Sequence, residues 1–139
     1  MKNGFTIFEI LFAVAILGIA ITIVSLSFSN INQSTALEKS VDTAISVFNE
    51  ARSLTLASKD RTSFGVRIEP SQLILVPTDT VTIFNNLVGI RNISIAGGTT
   101  VTFKRLTGAT DNFGTFEIYL KNATTTYRTI TISATGITQ

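Results

Sequence analysis

The stretch Gly4-Phe-Thr-Ile-Phe-Glu-Ile-Leu-Phe-Ala-Val-Ala-Ile-Leu-Gly-Ile-Ala-Ile-Thr-Ile-Val-Ser-Leu-Ser-Phe28 decides how the rest of the chain is read. From Ile10 to Phe28 it holds no charged side chain, and an apolar helix of roughly 20 residues is what a hydrocarbon core demands. Thr22, Ser25 and Ser27 are tolerable there, because their hydroxyls can return to the preceding turn. Lys2, ahead of the run, favours a cytoplasmic N-terminus. One residue breaks the pattern. Glu9 lies within the apolar stretch, where an acid at mid-span costs roughly 3 kcal/mol and less toward the interface. An ionisable group so placed asks for a partner. A secretory signal peptide has a shorter apolar region. A plain single-pass anchor has no use for the acid.

Outward from this stretch the totals are consistent with an appendage plus one small domain. The chain has 139 residues, 45% of them hydrophobic and 14% charged, with a net charge of +2. Mean hydropathy is +0.40 and the pI is near 9.2. The apolar surplus is concentrated before residue 29, and the remainder of the chain is Thr-rich. Cysteine and histidine are both absent, so disulfides and Cys/His metal sites are excluded, as are thiol nucleophiles and imidazole bases. No phosphate loop, GxSxG elbow or Ser-x-x-Lys pair is present. The expectation is a non-enzyme without a cofactor.

From Leu37 the pattern becomes amphipathic. Leu37, Val41, Ala44, Phe48, Ala51 and Leu54 recur at spacings of four and three, which makes one apolar helix face. Glu38, Lys39, Asp42, Glu50 and Arg52 fall largely elsewhere, and the Glu38/Asp42 pair reads as solvated surface. Thr35 to Glu38 could open a second helix as a capping box, but continuity with bending near residues 30–33 is the preferred reading. A rod of roughly 80 Å over residues 5–59 results at 1.5 Å per residue. After residue 61 the period becomes two. Strands are expected in 63–69, 72–77, 80–84, 91–96, 100–106, 114–120 and 127–134, with a turn at 121–126. The fold expected is α+β. A long N-terminal helix, transmembrane in its first half and amphipathic in its second, packs on a small antiparallel sheet domain.

The order Lys2, Gly4, Phe5, Thr6, Glu9, then a long apolar helix resembles the class III signal of type IV pilins and the pseudopilins of type II secretion and DNA-uptake systems. The features around residues 50–68 and the closing 114–136 segment with Gly136 resemble the H-type pseudopilin and minor-pilin branch. The resemblance implies a leader over 1–4, a filament-core and transmembrane helix over 5–29, a stem over 30–60 and a β domain over 61–139. It implies cleavage between Gly4 and Phe5 by a prepilin peptidase and N-methylation of Phe5. It further implies an ion pair between Glu9 and the Phe5 amine of a neighbouring subunit, and helix flexibility at Gly18, for which small-residue helix packing is the equal alternative. Such a pair offsets part of the cost of two charges in lipid. The implied place is the bacterial inner membrane, single-pass with the N-terminus cytoplasmic, and then an extracytoplasmic filament. The implied partners are prepilin peptidase, other pilin-like subunits, an inner-membrane assembly platform and the membrane itself. The runner-up is a membrane-anchored β domain acting as an adhesin or binding module.

Weaker signals complete the reading. Arg91, Lys104 and Arg105 are candidate DNA contacts, as in uptake filaments, against scattered strand-surface charge with no aromatic interleaved. Asp111 and Asn112 could ligate calcium, although both residue types favour turns. Asn92 and Asn122 open glycosylation-type sequons, which a Ser/Thr-rich chain produces readily by chance.

Overall fold

The computed structural model describes residues 6–57 and 62–139, with the backbone alone over 24–30. The chain divides into two compact units, Met1–Ser34 and Thr35–Gln139. Helical backbone runs through α1 (Ile7–Ala57), with side chains described as two stretches, 7–23 and 31–57. Among the described residues seven strands come after it: β1 (Gly65–Glu69), β2 (Gln72–Val76), β3 (Thr80–Ile83), β4 (Val88–Ile95), β5 (Thr100–Thr102), β6 (Gly114–Leu120) and β7 (Ala123–Ile132).

Two expectations are corrected here. The strands do not form one small sheet. They form two antiparallel sheets, in the orders β3-β2-β1-β5 and β4-β6-β7. Nor do the described residues show a transmembrane first half: no helix among them is long and apolar enough to cross a membrane. Among the described side chains, 7–23 carries Glu9, and 31–57 carries Glu38, Lys39, Asp42, Glu50 and Arg52. The same finding overturns the single-pass inner-membrane placement.

Within the second unit the helix contributes an apolar stripe to a core shared with both sheets. Leu37, Ala44, Val47, Phe48 and Ala51 are buried, together with Val66, Leu73 and Val101 of one sheet and Phe116, Ile118 and Ile130 of the other. The Phe48 and Phe116 rings lie 5.9 Å apart, centroid to centroid, tilted by 33°. The stripe differs from expectation at its end. Leu54 stays partly exposed, and Thr55 is buried in its place. The hydroxyl explains the exchange: Thr55 Oγ1 accepts the Phe64 N–H at 2.9 Å and donates to the Ala51 carbonyl at 2.8 Å. A buried hydroxyl with partners costs little, and this one fastens the helix to the approach of β1.

The last hairpin is tighter than the sequence suggested. Leu120 pairs with Ala123, so only Lys121 and Asn122 turn between β6 and β7. Farther on, three distant segments converge. Arg52 Nε donates to the Gly108 carbonyl at 3.1 Å. Gly108 and Gly136 both have positive φ, 66° and 78°. A Cβ on Gly136 would overlap the Gly108 carbonyl oxygen, so this approach admits no other residue without movement.

Candidate assembly surface

The site suggested by the sequence begins with a helix start. Thr6 precedes α1, and its Oγ1 accepts the Glu9 N–H at 3.3 Å. The Thr6 carbonyl also accepts from Glu9 at 3.1 Å and from Ile10 at 3.3 Å. Thr6 is therefore the cap and Glu9 the third helical residue, the spacing of a capping box. An acid in the first turn also meets the positive end of the helix dipole. The sequence reading missed this second reason for the Thr6-x-x-Glu9 order, although the motif was legible.

Beyond the cap, the large apolar side chains over 7–23 are exposed among the described residues. Ile7 is 80% exposed, Phe8 79% and Phe12 64%, and Leu11, Val14, Ile16, Leu17, Ile19, Ile21 and Ile23 are exposed as well. Thr6, Phe8, Glu9, Phe12, Ala13 and Ile16 line a shallow groove along one side. Its members recur at helical spacing, with the phenylalanines as a ridge and Ala13 as a gap. The Glu9 carboxylate makes no ion pair with any described residue. Gly4 and Phe5, the cleavage and methylation positions, lie outside the described residues. Gly18 sits within regular helix, and Thr22 Oγ1 donates to its carbonyl at 2.9 Å.

Most of the other candidates are engaged within the fold. Arg91 is held on the outer face of the three-stranded sheet. Its Nε donates to Glu117 Oε2 at 2.8 Å, and its guanidinium carbon lies 4.8 Å from the centre of the Tyr119 ring and 5.2 Å from that of Tyr127. A register shift between Arg91 and Ser94 puts Asn92 at φ 51°, from where its amide donates to the same carboxylate at 2.9 Å. The Arg91 hydrogen bond, then that of Asn92, hold the Glu117 carboxyl below its ordinary 4.5. Tyr119 also covers Gly89 from the opposite strand.

Lys104 pairs with Asp111 at 2.7 Å. Asn112 accepts from Thr102 N–H and donates to the Ala96 carbonyl, so this Asp-Asn pair pins a loop. Of the three candidate DNA-contacting cations, only Arg105 lacks an acidic partner among the described residues. Glu38 pairs with Arg128 at 2.6 Å across 90 residues of sequence. Of the two sequons, Asn92 is engaged, whereas Asn122 stands exposed in the β6–β7 turn. Comparison with protein-family models, with curated proteins and with solved structures gives no match.

Proposed function

We propose that this chain is a structural subunit of a type IV filament-family assembly (pilus, secretion pseudopilus or DNA-uptake filament), of the minor-pilin kind. In this reading a prepilin peptidase cuts after Gly4 and the new N-terminal Phe5 is N-methylated. The segment beginning there packs against the same segment of neighbouring subunits, recruited by an assembly platform. One observation carries the reading: over 7–23 the large apolar side chains are uncovered, and the carboxylate at the head of the run has no ion pair among the described residues. Each such side chain gains about 1.5–3 kcal/mol when fully covered, so the segment has a strong drive to find company. The groove beside Phe8 and Phe12 suits a like helix, and Glu9 at its head suits an ammonium from a neighbour.

The test has two arms. Mass spectrometry of the mature protein from its native host should give a chain beginning at N-methyl-Phe5; a chain retaining Met1 sinks the proposal. Glu9→Gln keeps a capping-box side chain at the third helical position and removes the charge, whose helix-dipole share is only about 0.3–1 kcal/mol. Recovery of this variant in sheared filaments should fall at least about tenfold, the loss expected when a desolvated charge pair loses one member. Wild-type recovery would remove the ion pair from the mechanism.

A further inference from the structure

Two sheets have four edges, and three of them are wholly or partly closed. At β5, Thr102 N–H is taken by Asn112, and Phe103 bridges to Thr110. At β4, Ile90 N–H reaches the Pro70 carbonyl, and Ile95 bridges to Gly98. The end of β7 exchanges two bonds with Gln139 through Thr131. β3 differs. It pairs with β2 on one side, and among the described residues no backbone bond is made from its other side. Apart from its shortness, four residues, the edge carries no built-in protection: Thr80–Ile83 contains no charge, proline or bulge. Val81 is 47% exposed and Ile83 74%, side by side on one face.

The phase of the open groups is set by the β2 pairing. The Phe84 N–H donates to the Ser71 carbonyl, in line with the β2–β3 register. Antiparallel ladders alternate, so Thr82 and Thr80 share that inward phase and Val81 and Ile83 aim their N–H and C=O outward. A strand with two outward residues of this kind is complementary to itself. When Thr82 is placed opposite Thr82 of a second copy, Val81 falls opposite Ile83 twice. Both pairs then exchange backbone bonds, and both place apolar side chains against each other. Asp79 falls opposite the uncharged Asn85, so no like charges meet. Centring on Val81 instead sets Asp79 against Ile83.

We propose that β3 pairs antiparallel with β3 of a second copy about a two-fold axis through Thr82, joining two four-stranded sheets into one of eight. Such an isologous contact closes on itself and makes dimers, not fibres. Four residues a side bury far less than the roughly 1,200 Å² of a stable interface, so the dimer is weak and concentration-dependent. The pairing involves residues of the Thr35–Gln139 unit alone and does not depend on the filament reading.

The chain has no cysteine, which makes the test direct. Full-length Thr82→Cys in detergent, oxidised by air with copper phenanthroline, should form a disulfide-linked dimer. Symmetric non-hydrogen-bonded partners bring their Cβ atoms within about 5.5 Å. Thr80→Cys and Val81→Cys face other residues and should crosslink at least about tenfold more slowly by that geometry. A charge swap fixes the register independently. Val81→Glu and Ile83→Lys should each abolish concentration-dependent shifts of the β3 amides in NMR spectra, and an equimolar mixture should restore them. Equal crosslinking at 80, 81 and 82 means random encounter within micelles and overturns the proposal. So does a mixture that fails to recover association.

Discussion

At the scale of single residues, Glu117 shows how a surface acid becomes structural. It takes hydrogen bonds from Arg91 and Asn92 at once, and the Arg91 guanidinium lies against two tyrosine rings. Because the folded state holds this carboxyl below its ordinary value of 4.5, its contribution is present above that value and is lost as pH falls through the lower, folded one. Glu117→Gln should therefore lower the melting temperature at pH 7 and change it much less near pH 3. An equal loss at both values would show that shape, not charge, does the work. None of this was legible in the sequence. Arg91, Glu117, Tyr119 and Tyr127 are separated along the chain, and a bulge that no local pattern announces brings Asn92 to the cluster. Glu9 was legible as an anomaly, and Thr6 as its cap could have been, since the two make a local motif.

At the scale of elements, periodicity predicted well. Each of the seven strands overlaps an expected segment, because a half-buried strand alternates at period two, but β4 begins at Val88 and β7 at Ala123, ahead of their segments, and β5 ends at Thr102, short of its own. The helix face was equally plain from Leu37 to Ala51. Prediction failed where partners are distant. The division into two sheets depends on pairings such as β1 with β5, which cross 30 residues or more and leave no local trace. Thr55 was overlooked because its burial rests on Phe64, met only after the helix has ended. Phe48 is the element-scale hinge of stability, fully buried and set against Phe116. Phe48→Ala should cost about 3–5 kcal/mol in urea unfolding, the range for emptying an aromatic site in a core. A loss below about 1 kcal/mol would mean that the core collapses freely around the gap.

At the scale of the whole molecule, the core lies in Thr35–Gln139, while the uncovered apolar residues of 7–23 belong to the other unit. A chain lacking residues 1–34 should then unfold in one cooperative transition and sediment largely as monomer at micromolar concentration. The full chain should self-associate unless detergent is present. Loss of cooperativity in the shortened chain would show that the core needs the missing segment. The closure around Arg52, Gly108 and Gly136, with the long reach from Glu38 to Arg128, sets a timetable for biosynthesis. Translation delivers the greasy stripe of Leu37 and Phe48 first and its covering strands last. On the ribosome the nascent stripe therefore waits naked for dozens of codons, a natural client for a chaperone, until the final hairpin emerges to shut it in.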